Sequence, residues 1–527
     1  MVPSPISGRV RACPERSRRG GVNKHKISNK PYLITDNYHP PPSLSSPSKG
    51  GQAREGGKPV SPNNEKAMKQ DINLLIEAVL KKPNALGKIY KQYGQLSLFN
   101  YVNSWPVNNN VLDSGFIQLL EEVFKEYCPT ESHQVIQQII NLPLVSTIDH
   151  YGILNHPFFI NSNLVFSLKA NIKYLICLPT AGVSLNNSSW PGSLMRFSPK
   201  NKTRWSFFAD KDKHLPVLSA PAIKAENKLI ARLPKDISDI WKETKAFEEK
   251  TYLKQASLLS SNLWHSIFPD APKVIYVPLE TLINRMLTDL IIPNPAHPLH
   301  TLFFSLEGWQ WLEQYFLEAK GFCGKNFGSF IFWAINTAGK RERLEKYQDA
   351  LIGSQLKYEL DLAQITHSLK SGTLYPTSLV CFMVLMYYGL TMIGGFNQVN
   401  WLTEIKERLM KLWTEVGEIN LVKQLVNLPT ENFAEGNLSF LFSHQAIYKP
   451  SAIDIVFYKD KALYKKYVAL SKQLTVAESL QTLLPEIYKI SVPKVQRSLR
   501  LEKITEDEII NEIGLTQKVR AGLDFLG

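Results

Sequence analysis

The sequence predicts an α/β fold in which a central mixed or mostly parallel sheet is wrapped by N- and C-terminal helices. Three observations carry this. Apolar runs of strand length, Val145–Asp149, Lys173–Leu178 and Lys273–Val277, alternate with helical periodicity between about residues 144 and 300. That order builds a parallel sheet from strand-helix-strand units. The run Tyr174-Leu-Ile-Cys-Leu178 is unbroken by polar residues, as in strands buried on both faces. The flanking stretches 68–143 and 301–527 read as mainly helical.

Taken in order, residues 1–67 are rich in Pro, Gly, Ser, Lys and Arg and hold 12 Lys and Arg against 4 Asp and Glu, a net of +8 within the chain's +14. Such a segment has too little to bury to offset its ordering entropy, so it reads as a disordered extension. The run Arg11–Gly20 has the texture of a translated intergenic repeat, which would make the extension non-native and Met68 the natural start. After Met68, Ile72, Leu74, Leu75, Ala78 and Val79 recur at helix spacing, and further helices are expected over Ser114–Tyr127 and from Pro129-Thr130 to just before Leu142-Pro143. Past the first strand, His156-Pro157 opens a helix with Pro suited to the first turn. Short strand-like pieces follow at Leu194–Phe197, Trp205–Phe208 and Pro216–Ala220, then one long helix over Ile240–Phe268. Pro278 starts a helix after the third strand.

In the C-terminal part, Trp401, Leu402, Ile405, Leu409, Leu412 and Trp413 form one amphipathic face. Thr475-Val-Ala-Glu478 and Thr505-Glu-Asp-Glu508 have the spacing of capping boxes. Ser439–Phe442 and Ile453–Tyr458 read as late strands. No charged residue occurs from Ser371 to Thr403, and Ser378–Ile393 approaches the length of a membrane span. Pro376, Gly389, Gly394 and Gly395 interrupt it and no Lys or Arg cluster marks a flank. The segment therefore reads as a buried core helix running into a glycine turn, and a membrane association as unlikely.

Without residues 1–67 the chain is only mildly basic and shows no compact basic face, so nucleic acid is not an expected partner. Five widely scattered cysteines with no C-x-x-C pair argue against a disulfide framework or a thiolate zinc site and favour a reducing, cytoplasmic setting.

The chemistry-bearing residues gather in Leu144–Pro157, where Asp149, His150 and His156 surround a strand-to-helix turn containing Gly152. Strand side chains alternate faces, so one of Asp149 and His150 should face the crevice beyond the strand. Imidazole and carboxylate suit a metal, and a His tuned by a carboxylate suits proton transfer. Asp210-Lys-Asp-Lys-His214 adds Asp212 and a third imidazole. Gly182–Gly192 supplies Asn186, Asn187 and Ser188 for a polar substrate, with Arg196 for an anionic group. The pair Asp149-His150 resembles the Asp-His-His element of a phosphoesterase superfamily, with Tyr151 in place of the second His. His150-x-Gly152 resembles part of the creatininase-like amidohydrolase pattern, without its preceding Glu or later His-Gly-Gly-Asn. Neither spans more than about a dozen residues, and no family is assigned.

The expectation is metal-assisted hydrolysis of a small polar substrate. His150, His156, His214 and Asp212 would hold a divalent metal such as zinc, Asp149 and His150 would be catalytic, and Asn186, Asn187, Ser188 and Arg196 would bind substrate. Two alternatives stay open. One is a metal-free transferase for a nucleotide or amino-acid-like substrate with His150 as base. The other is a non-catalytic interaction or membrane-associated protein.

Overall fold

Four short strands pair in parallel because their side chains have an apolar layer to enter on each face. They are β1 (Leu144–Ser146), β2 (Tyr174–Cys177), β3 (Lys273–Tyr276) and β4 (Thr391–Ile393), in the order β4-β1-β2-β3. Leu144, Leu175, Cys177, Val274, Tyr276 and Ile393 join one apolar core. The residues that alternate with them, Val145, Ile176, Ile275 and Met392, join a second core on the other face. This is the period-two pattern of a sheet covered on both sides. The computed structural model describes residues 62–198, 202–224, 233–317, 328–443 and 446–524. Among them the fold is mixed α/β, with smaller antiparallel sheets beside the parallel one. The extension expected at 1–67 lies outside the described residues as far as residue 61, and Pro62–Val79 is a helix.

The β1–β2 crossover is α1 (Pro157–Ser167), which starts with Pro at its first turn and His156 as its N-cap. The single long helix expected over 240–268 is two, Lys235–Glu243 and α2 (Tyr252–Ile267). Lys245, in a left-handed conformation with φ 51°, and the Thr251 cap on Lys254 N–H separate them. The apolar rhythm crosses the break because Phe247 still packs on Trp241, 5.8 Å between ring centroids. Leu194–Phe197 and Trp205–Phe208 do contribute to a hairpin, Ser193–Arg196 against Thr203–Ser206, whereas the piece near Pro216–Ala220 is a short turn of helix, Val217–Ser219.

After β3, α3 (Leu279–Met286) returns along the second core. The helical C-terminal stretch is interrupted by six short strands between Phe332 and Pro376, in two antiparallel sheets. The uncharged segment divides. α4 (Ser378–Tyr387) is buried all round, Gly389 at φ 79° ends it, and Thr391–Ile393 is the edge strand β4 rather than more helix. No helix among the described residues is long and apolar enough to cross a membrane. Gly394-Gly395 then leads into α5 (Gln398–Glu415), whose buried face includes Leu402, Ile405, Leu409, Leu412 and Trp413. Both capping boxes form, at Thr475 and Thr505. Ile453–Tyr458 is a helix, not a strand, because Ser451 and Asp454 form a third capping box that starts it.

The connections β1 to β2 to β3 step outward in one direction, and β4 returns to the other side of β1. In open parallel sheets such a reversal leaves a crevice at the carboxyl ends of the two strands that flank it, the usual place for ligands. Here those strands are β1 and β4.

Candidate functional site

The chain leaving β1 makes one further parallel bridge, His150 to Thr180, with Tyr151 N–H donating to Thr180 O at 2.8 Å. This fixes opposite directions for the two neighbours at 149 and 150. Asp149 turns inward and is 1% exposed. Its carboxylate accepts from Asn163 Nδ2 at 2.7 Å, Ser162 Oγ at 3.2 Å and the Tyr276 hydroxyl. Burial pushes its carboxyl up to about 6, against the pull of those three donors. α1 supplies Ser162 and Asn163, and β3 supplies Tyr276, so Asp149 ties three elements together beneath the crevice.

His150 turns to the loop that follows β2. Its Nδ1 lies 3.1 Å from Asn187 Oδ1 and 2.9 Å from Ser189 Oγ. An amide oxygen can only accept, so Nδ1 carries the proton and Nε2 keeps its lone pair. Burial lowers this imidazole to about 4, leaving it neutral near pH 7. The same loop holds the second histidine by ring contact: the Trp190 ring lies 4.7 Å from that of His156 at a tilt of 53°, and Phe197 stacks on Trp190 at 4.8 Å. Trp190 adopts φ 52°, a left-handed conformation that costs a bulky residue energy and tends to persist where the surroundings over-determine it. Phe159 lies between the two histidines, 5.7 Å from the His150 ring and 5.4 Å from that of His156. His156 is lowered to about 3, by burial first and then by the nearby His150 and Lys449.

The structure brings His150, His156 and Asn187 together, turns Asp149 inward away from them, and leaves the other expected residues apart. His214 is exposed, with Asn186 Nδ2 3.4 Å from its Nδ1. Asn186 is exposed too, and Asp212 belongs to the short turn Asp210–Asp212. Ser188 is partly buried beside Asn187. Arg196, expected to meet a substrate anion, is committed to Asp454 at 3.6 Å and lies over the Phe457 ring at 4.4 Å. The expected zinc ligands do not assemble. Among the described residues no group of three or more His, Cys, Asp or Glu side chains is arranged to hold a metal. The reason is local: His156 Nδ1 accepts from Phe158 N–H as the helix cap, His150 Nδ1 is engaged by Asn187, and His214 is exposed beside Asn186. Glu280, near the start of α3, spends its carboxylate on the Ala181 and Gly182 N–H groups at 2.8 and 2.9 Å.

Sequence reasoning missed the far wall of the crevice. The extended segment Glu435–Ser439 crosses it, pinned where Asn161 Oδ1 of α1 accepts from the Leu438 and Ser439 N–H groups at 2.6 Å each. Glu435 accepts from Phe396 N–H at 2.7 Å in the turn after β4. A Cβ on Gly395 would stand 2.6 Å from that carboxylate, so a larger residue there would displace the Glu435 side chain. Burial, reinforced by neighbouring Glu486 and Asp149, raises Glu435 to about 8, and Glu486 is raised to about 7. Lys449 pairs with Glu506 at 2.7 Å and lies 5.0 Å from the Phe158 ring centroid. One signal was available: Asn161, Ser162 and Asn163 are three consecutive polar residues in an otherwise apolar helix, and all are buried. Buried amides and hydroxyls must be partnered, so such a run marks a polar network.

A separate groove of about 730 Å³ opens at the amino end of β2, lined by His133, Gln134, Gln137, Asn141, Lys169 and Lys173 among others. None of the clustered titratable groups lines it. In comparisons with family models and with curated proteins no match to this chain was found.

Proposed function

We propose that this chain is an enzyme that transfers a proton to or from a small polar substrate in the β1/β4 crevice, with His150 as the base. The observation that supports it is the restraint on His150. Its Nδ1 is engaged by Asn187 and Ser189, and the ring is held neutral with Nε2 unprotonated, the state a general base requires. Asn187 and Ser189 act as positioning residues for that ring rather than as substrate contacts. This is the metal-free reading, favoured because no group of three or more His, Cys, Asp or Glu among the described residues is arranged to hold a metal. Cys128, Cys177 and Cys381 are buried and free, which supports a reducing, cytoplasmic setting.

The test is turnover. The purified chain is incubated with a defined mixture of small polar metabolites and their signals are followed by proton NMR. The parent should consume at least one component, and His150→Gln should slow that loss by about 10²-fold or more while keeping the parent's unfolding midpoint. A parent that consumes none, or a variant that matches its rate, ends the reading.

A further inference from the structure

The groove at the amino end of β2 has walls that hydrogen bonds fix in place. One wall is the helix Ser132–Asn141, where His133, Gln137 and Asn141 recur every four residues and so share one face. The other is the chain from Lys169 to Tyr174, which leads into β2. Gln138 joins the two. Its Oε1 accepts from the Lys173 and Tyr174 N–H groups at 2.8 and 3.1 Å, and its Nε2 donates to Tyr174 O at 2.8 Å. Asn103 holds the preceding turn, donating to Leu168 O at 3.1 Å and accepting from Ala170 N–H at 2.8 Å. Asn171, in that turn, has φ 63°, a left-handed conformation that asparagine tolerates. The enclosed volume of about 730 Å³ lies in the range of small-molecule sites, about 300–1,000 Å³.

The lining carries positive charge with no negative charge to match it. Lys169 and Lys173 both line the groove, and no Asp or Glu does. Unpaired lysines are ordinary where water surrounds them, but Lys169 is half-buried, and an ammonium that leaves water without a counter-charge is destabilised. Its Nζ donates to Asn103 O and Trp105 O at 3.4 and 3.2 Å and meets no carboxylate among the described residues. Burial lowers this ammonium accordingly. Lys173 is exposed, and its side chain has no hydrogen-bond or ion-pair partner among the described residues. Glu131, just before the helix, is held by Lys273 at 2.7 Å. The side chains of Gln134, Gln137 and Asn141 are also free of partners among the described residues. Leu142 and Tyr174, both half-buried, add an apolar part to the lining.

We propose that this groove is a second binding site, for a small organic anion whose phosphate or carboxylate pairs with Lys169 and Lys173. Phosphate and carboxylate oxygens accept charge-assisted hydrogen bonds from an ammonium, and the bond to Lys169 gains from its partial removal from water. The free amides of Gln134, Gln137 and Asn141 can both donate and accept, so they suit the ligand's remaining polar groups. Leu142 and Tyr174 cover its apolar body. The groove opens at the amino end of β2 and the β1/β4 crevice at the carboxyl ends of its strands, so neither site depends on the other.

The experiment is a calorimetric titration of the full chain with 1-naphthyl phosphate and with 1-naphthoate, at matched ionic strength. 1-Naphthol and 1-naphthylmethylammonium chloride serve as the neutral and cationic controls. The expected result is saturable binding of one or both anions, with the stronger of the two naming the headgroup, and binding of each control weaker by about tenfold or more. Lys173→Gln, which removes a charge, and Gln137→Glu, which adds an opposing one, should each weaken the anion by about tenfold or more. Both side chains are exposed and have no partner to lose, so both variants should keep the parent's unfolding midpoint. His150→Gln should bind the anion as the parent does. Failure of both anions to bind, controls that bind equally well, or groove variants that match the parent would overturn the proposal. So would binding that His150→Gln abolishes and Lys173→Gln leaves intact, which would put the anion in the crevice instead.

Discussion

Replacing Asp149 by alanine should lower stability by about 3–5 kcal/mol, the cost of two buried donors left without an acceptor plus the emptied volume. The donors that suffer can be named. Ser162 Oγ and one Asn163 N–H retain Phe159 O at 3.2 and 2.8 Å. The Tyr276 hydroxyl and the other Asn163 N–H lose their acceptor, in a region where Asp149 is 1% and Tyr276 also 1% exposed. Asp149→Asn keeps the shape and one acceptor oxygen, and should cost less than the alanine variant. Its pH dependence has a definite sign. The folded carboxyl titrates at about 6 rather than 3.8, so the folded state binds the extra proton. The parent's contribution is therefore complete below pH 3.8 and is lost as pH rises through 6. The asparagine variant should gain on the parent over that interval, by up to about 3 kcal/mol. Urea unfolding of both variants at pH 4, 6 and 8 measures this. An alanine variant as stable as the parent at pH 4 and 6 would mean that the network carries no load.

The parallel sheet was legible because its first three strands are apolar runs bounded by turn signals, and residue after residue their side chains enter opposite cores. β4 was not legible. Leu390-Thr-Met-Ile393 continues the apolar texture of α4, and periodicity cannot separate a short buried strand from the end of a buried helix. Gly389 at φ 79° makes the division, and glycine alone does not announce whether it ends a helix or bends one. Missing β4 hid the second side of the crevice expected beyond β1, since the reversal between β1 and β4 is what bounds it. Half of the candidate site lay open to sequence reading, because Asp149, His150 and His156 are close in sequence. The other half comes from Glu435, Lys449 and Glu486, each some 280 or more positions from Asp149 and in segments without a motif. The Ile453–Tyr458 error has a local cause: alternation suggested a strand, while Ser451 and Asp454, three apart, already spelled a helix start.

Gly152→Ala should be as damaging as the loss of Asp149, and for a steric reason. Gly152 lies in the turn between β1 and α1, and its backbone does not need a positive φ. What it needs is room. A Cβ there would stand 2.6 Å from Pro191 Cα and 2.8 Å from Pro191 O, contacts with backbone that no side-chain rotation relieves. The loop 184–192 would have to lift. That loop holds Asn187 on His150, Trp190 on His156 and Pro191 O on the Tyr252 hydroxyl, so one methyl group should release both histidines together. The expected outcome is a loss of about 3 kcal/mol or more. The His150 ring should also titrate closer to an ordinary histidine than the parent's value of about 4. Gly417→Ala is the control. Gly417 has φ 83° and nothing within 4 Å of its missing Cβ, so it should cost about 1–2 kcal/mol through backbone strain alone and leave both histidines as they are. If Gly152→Ala behaves like that control, with His150 still titrating near 4, then the loop does not depend on close contact with the turn, and the restraint on His150 that supports its role as a base has another origin.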